Sequence, residues 1–202
     1  MIIEEGHPIH SLRAQLLVDK PDLILEFSKY IHLGNGKTRS REIFHITASE
    51  LTEQWLLENL LLLDDEQELA FHSRVEYNSN VCHIPMVDFV NTTSDLEVNA
   101  LLKPINDMLS KDIWLCHSGQ SLHGYYFELV DNEFWLNYLA NLLLCNQSEN
   151  GGKDIVDQRW IAHSLEHRYS ALRWSHNTNR YHSMPSSYGI RVISGRHDFN
   201  AS

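Results

Sequence analysis

The chain has 202 residues, is 43% hydrophobic and carries five Trp, enough for one sizeable core or two small ones. Its net charge of -11 argues against a general nucleic-acid binder, which needs Lys and Arg against phosphate. No apolar run reaches the length of a membrane span, and Cys82, Cys116 and Cys145 are isolated and odd in number, which excludes a disulfide framework.

The opening Met1-Ile2-Ile3-Glu4-Glu5 lacks the basic flank and apolar core of a signal peptide, so a cytoplasmic protein with reduced thiols is expected. Gly34-Asn35-Gly36-Lys37-Thr38-Arg39-Ser40-Arg41 reads as a basic hairpin tip, with the wrong glycine spacing for a P-loop. Thr47-Ala48-Ser49-Glu50 reads as a capping box, followed by Leu51, Trp55, Leu56, Leu60 and Leu63 at near-helical spacing. Strands are expected over 69–77 and 82–90, joined by the turn residues Asn78-Ser79-Asn80. Ser94-Asp95-Leu96-Glu97 opens a second helix with Val98, Leu101, Leu102, Ile105 and Met108 on one face.

A buried strand is expected over 113–117, a turn over 118–121 and a returning strand over 122–130. Asp131 then caps a helix carrying Phe134, Trp135, Tyr138, Leu139 and Leu142, and Gly151-Gly152 breaks the chain. A last helix is expected from about Asp157 to Tyr169, with strands over 172–176 and 188–194. This order predicts an α+β fold, a mixed and largely antiparallel sheet flanked by helices.

Charge is unevenly spread. Residues 1–149 hold nine Lys and Arg against 23 Asp and Glu, whereas residues 150–202 hold seven against four, plus five His. An anionic ligand would be drawn to that last quarter.

Four places carry candidate chemistry. Ser121 and His123 lie two apart in Ser118-Gly119-Gln120-Ser121-Leu122-His123-Gly124-Tyr125-Tyr126-Phe127, so in a strand they share a face and can both donate to phosphate. Asp88 closes the apolar run Ile84-Pro85-Met86-Val87, either as a metal ligand or as a solvent-facing strand end. Asp157 follows Ile155-Val156, either as a metal ligand or as a helix N-cap. Arg173 sits in the apolar frame Leu172-Arg173-Trp174, so its head needs an anion or hydrogen-bond acceptors, the alternative being an internal salt bridge to one of these Asp residues. A competing motif, His163-Ser164-Leu165-Glu166-His167, fits the H-x-x-E-H pattern of zinc hydrolases. No Glu follows Glu166 to complete that site, so an exposed, charge-rich helix face is the better account of it.

Asp on a strand, Ser-x-His on a later strand, Asp after two apolar residues and Arg in an apolar frame occur here in the order that resembles the catalytic core of the archaeo-eukaryotic primase superfamily. The resemblance covers residues 82–185. It implies Asp88 and Asp157 as Mg2+ or Mn2+ ligands, His123 with Ser121 on the phosphates of an incoming nucleotide, and Arg173 as a further phosphate contact. It implies one primase-like domain over residues 1–202, with residues 1–45 either joining the main sheet or forming an appendage. It also implies nucleotide and nucleic acid as ligands and nucleotidyl transfer as the activity. The chain departs from the family pattern: Met86 and Val90 flank Asp88 where an Asp-x-Asp pair is usual, and Gln120 replaces an Arg. The alternatives are a non-catalytic subunit that keeps the fold to bind a partner in a larger assembly, and a zinc hydrolase on His163 and His167.

Overall fold

The computed structural model describes residues 2–32, 38–90, 108–109, 112–119, 121–146 and 154–190. The expected helix after Ser94, the glycine pair 151–152, Gln120, residues 34–37 of the expected basic turn and everything past residue 190 lie outside these residues.

Strand β1 (Ile24–His32) pairs antiparallel with β2 (Thr38–Thr47) on one edge and with β3 (Gln67–Tyr77) on the other. Strands β4 (Asn80–His83) and β8 (Ala171–Arg173) share the far edge of β3, β4 against residues 74–77 and β8 against residues 70–72. The β3–β4 connection is a two-residue hairpin loop in which Asn78 (φ 50°) and Ser79 (φ 61°) take the left-handed conformation that matches strand twist. A second antiparallel sheet has the order β5 (Met86–Asp88), β7 (Leu122–Tyr125), β6 (Trp114–His117), β9 (Ser186–Ile190). With helices packed beside the sheets, the fold is α+β, and every described pairing is antiparallel.

The run expected as one strand over 82–90 is two strands in two sheets. Pro85 lacks an N–H, and the Ile84-Pro85 step lets the chain pass from the first sheet to the second. The strand expected over 122–130 ends at Tyr125; its tail survives as a single bridge between His83 and Val130. Only half of the expected capping box over 47–50 forms: Glu50 Oε2 accepts from Thr47 N at 2.7 Å, but Glu50 N donates to Thr47 O instead of to the hydroxyl, and the residues close a turn. Helix α2 (Glu53–Leu61) is instead capped by Thr52, whose Oγ1 accepts from Trp55 N.

Two apolar layers hold these parts. Between the sheets, Phe27, Leu69 and Phe71 of the first meet Met86, Trp114, Cys116 and Tyr125 of the second, around the buried Trp174. Trp174 Nε1 donates to Tyr125 Oη at 3.1 Å, so even the indole N–H is satisfied. A short helix α1 (Pro8–Leu12), continuing into a π-helical turn over Arg13–Leu17, and α2 cover the first sheet. On the outer face of the second sheet, Val87, Leu115 and Leu122 pack on α3 (Asn132–Cys145) and α4 (Gln158–His167). Gly124 lies on that face because a Cβ would come within 2.6 Å of Val87 Cγ1 and 2.5 Å of Ile113 Cδ1. The alternation of β5 and β7 therefore turns Asp88 and His123 the other way, toward the first sheet.

Candidate functional site

A cleft of about 770 Å³ opens where the two sheets part. Asp88, Ser118, Ser121 and His123 line it from the second sheet, Tyr30, Arg41 and Ala70 from the first, Asp157 and His163 from α4 and its cap, and Arg173 and Tyr181 from β8 and the loop after it. All five residues singled out from the sequence thus face one cavity.

Asp88 and His123 are cross-strand partners in the β5–β7 ladder, and His123 Nε2 stands 3.7 Å from Asp88 Oδ1. The backbone beyond β5 runs beside the segment that leads into α4. Val90 N donates to Ile155 O, and Asp157 N donates to Asp88 O at 3.0 Å. Asn146, at the end of α3, pins the same segment: its Oδ1 accepts from Ile155 N and Val156 N, and its Nδ2 donates to Val156 O. Two carboxylates far apart in sequence are thereby held beside each other by main chain. Asp157 is also the N-cap of α4, with Oδ1 accepting from Arg159 N and Trp160 N, and Arg159 Nε lies 3.8 Å from the same oxygen. The two sequence readings of Asp157 are therefore compatible, because the cap uses one carboxylate oxygen.

Electrostatics follow from the enclosure. Burial, with the neighbouring Asp157 charge adding to it and Arg173 opposing it, raises the pKa of Asp88 to about 7. Burial and the Arg173 charge lower that of His123 to about 3, so its imidazole is neutral at pH 7. Arg173 is 4% exposed, and one Nη2 donates to the carbonyls of Ser118 and Ser183. Its guanidinium lies 3.9 Å from the Tyr181 ring centroid, and its Nε and Nη1 have no hydrogen-bond partner among the described residues. No carboxylate among the described residues lies within ion-pair distance of it. The internal salt bridge considered from the sequence does not form among the described residues.

The turn that presents Ser121 is tight. Ser118 N donates to Ser121 O, and the two hydroxyls are 3.0 Å apart. Gly119 takes φ 92°, and a Cβ there would sit 3.0 Å from Ser183 O. The loop facing it is tied down by Glu68, fully buried on β3, which accepts from Ser175 Oγ, from Asn177 N at 3.2 Å, and from Thr178 N and Oγ1 at 2.8 and 2.6 Å.

Several of these residues escape sequence reasoning. Tyr30 and Arg41 are cross-strand partners of β1 and β2, where a basic hairpin tip was expected to include residue 41. Asn146, Glu68 and Tyr181 carry no local motif. His163, Glu166 and His167 bring one donor atom each within 4.8 Å of one another on the exposed rim of the cleft, and no other described His, Cys, Asp or Glu completes that group.

Two antiparallel sheets thus part around a carboxylate pair, a Ser-x-His segment and a buried Arg, in keeping with the primase-superfamily domain that the family profile identifies. The chain belongs to the AEP-like family, archaeo-eukaryotic primase 1D-like, whose profile matches residues 47–186. No curated protein matches the sequence. Among the described residues no helix is long and apolar enough to cross a membrane.

Proposed function

We propose that the cleft binds a nucleoside triphosphate together with Mg2+ or Mn2+, and that the reaction it serves is nucleotidyl transfer. The observation that carries this reading is the junction of Asp88 with Asp157 in a cavity that also encloses Arg173, two of whose nitrogens have no partner among the described residues. An anionic ligand satisfies the guanidinium, and a divalent cation satisfies the carboxylates; a metal–nucleotide complex supplies both at once.

The residues fit the cation. Two adjacent carboxylates, one of them kept protonated up to about pH 7 by burial and by the charge of its neighbour, are hard oxygen donors of the kind Mg2+ and Mn2+ take. When bound, such a cation neutralises charge that builds on the phosphates during transfer. Asp88 and Asp157 would hold it, Arg173 and Ser121 would donate to phosphate oxygens, and the neutral His123 would contribute a ring N–H rather than charge. In transfer, a sugar hydroxyl oxygen bonds to the α-phosphorus, the bond to the bridging oxygen breaks, pyrophosphate leaves and the hydroxyl proton passes to water.

Incubation with a template, Mn2+ and labelled nucleotides tests the reaction. A phosphodiester product that disappears in Asp88→Asn is the expected result. Absence of product with the wild type, alongside intact nucleotide binding, reassigns the chain as a binding module of a larger assembly.

A further inference from the structure

We infer that the β1–β2 hairpin, which precedes most of the family match, completes the cleft with a second phosphate anchor, Arg41. This rests on the nucleotide reading above and extends it to residues outside the matched 47–186 segment. Arg41 lies in the wall of the cleft, its guanidinium 4.9 Å from the Tyr30 ring centroid and 5.9 Å from that of Tyr169. Two aromatic rings so placed restrict an otherwise flexible cation, and Tyr169 also shares a hydrogen bond with it.

What stands behind Arg41 is unusual for a sheet. Glu26 is 3% exposed on β1, and its carboxylate takes His72 Nδ1 at 2.7 Å, His45 Nε2 at 3.1 Å and Arg74 Nη1 at 3.2 Å. Arg74 is therefore the cation that balances Glu26. His72 Nε2 in turn meets Ser28 Oγ at 2.7 Å, and Arg41 Nη1 donates to that hydroxyl at 2.9 Å. Arg41 is thus oriented through a neutral hydroxyl and an imidazole, with no carboxylate among the described residues within ion-pair distance. Its charge is held in place with no paired carboxylate among the described residues.

The wall continues to the other guanidinium. Tyr30 is hydrogen-bonded to Tyr181, and Tyr181 carries Arg173 on its ring. Arg41 and Arg173 therefore flank a pair of tyrosines, one cation from each end. Two guanidiniums spaced by rings suit a ligand with several phosphate groups in a chain, not a monophosphate. Glu26, His72 and Ser28 position Arg41 and do not touch the ligand.

Titration with ATP, with inorganic triphosphate and with adenosine tests this in the full chain, using Arg41→Gln and the charge-conserving Arg41→Lys. Arg41→Gln is expected to weaken ATP and inorganic triphosphate by roughly 10- to 100-fold, the loss of one charge-assisted contact, and Arg41→Lys by less. Unchanged affinity of Arg41→Gln for both phosphate ligands overturns the inference. Equal loss for adenosine also overturns it, by making Arg41 a base or sugar contact. Failure of the wild type to bind ATP would remove the nucleotide reading. Inorganic triphosphate bound by the wild type and lost in Arg41→Gln would still uphold the anion anchor. A melting temperature within a few degrees of wild type qualifies each variant, and Arg41→Lys supplies the comparison if Arg41→Gln does not fold.

Discussion

Asp88 is the residue on which function and stability pull in opposite directions. A folded-state pKa of about 7, against 3.8 for a free carboxylate, means the folded chain keeps a proton that the unfolded chain releases. The group therefore costs stability progressively as pH rises from about 4 to about 7, and the full cost applies above that. Asp88→Asn removes it. The variant is expected to be more stable than the metal-free wild type at pH 8, on the order of 1–2 kcal/mol once the 26% exposure of the side chain is discounted, and equal to it near pH 4. Denaturant melts at the two pH values measure this; a variant less stable at pH 8 contradicts the assignment.

The histidines outside the cleft have the other sign. Burial, only partly opposed by the hydrogen bond to Trp174 O, lowers the pKa of His7 to about 4. Burial likewise lowers His72 to about 4, with the Glu26 hydrogen bond working against it. Both stay neutral in the fold and take up a proton on unfolding, so their contribution is intact above about pH 6.5 and falls as pH drops toward 4. Glu26 adds to this: burial opposes its charge, but His72, His45 and Arg74 outweigh that and hold its pKa below the usual range, so its share is lost at still lower pH. His7→Gln is expected to flatten the decline in stability between pH 7 and 5, read as a smaller shift in denaturation midpoint; an unchanged slope rules His7 out as a source.

At the scale of elements, the start of α4 separates capping from ligation. Asn caps a helix about as well as Asp, so Asp157→Asn is expected to fold with stability within roughly 0.5 kcal/mol of wild type and still lose Mn2+ binding, whereas Asp157→Ala loses about 1 kcal/mol as well. A purely structural Asp157 would leave Mn2+ binding intact in the Asn variant. The second sheet offers a packing test. Gly124→Ala places a methyl against Val87 and Ile113 between strands that cannot part without moving Asp88 and His123. It is expected to cost about 1–3 kcal/mol and to weaken nucleotide binding together with stability.

These elements also mark how far the sequence was legible. Asp131 and Asp157 were readable as caps because N-cap chemistry is local, and the 113–117 strand because its apolar run is continuous. The Ser121–His123 spacing is local too, and both residues line the cleft, His123 from β7 and Ser121 from the turn before it. What could not be read was pairing. Nothing near Asp88 announces that its neighbours are Asp157 and His123. Asn146 and Glu68, which place the 155–157 segment and the loop over Arg173, act across separations that leave no trace in spacing. Arg41 was hidden because a basic run beside two glycines resembles a loop, and only the register of β1 with β2 puts it next to Tyr30.

At the scale of the whole molecule, a cleft between two sheets depends on the layer that joins them. Trp174 sits in that layer, fully buried among Phe27, Phe71 and Tyr125. Trp174→Ala is expected to cost about 3–5 kcal/mol and to abolish cooperative unfolding before any local effect on the cleft is seen. The net charge of -11 bears on ligands at the same scale. An acidic body repels free polyanions, so ligand capture depends on the guanidiniums gathered in the cleft and on a cation carried in with the phosphates.

The most direct measurement is a calorimetric titration of Mn2+ with a nonhydrolysable nucleoside triphosphate into the wild type, Asp88→Asn and Asp157→Asn. Saturable binding at one site per chain that requires Mn2+, and is lost in both variants while they melt as folded proteins, is the predicted result. Equal binding by all three proteins, or none by the wild type with Mn2+ in excess, contradicts the account.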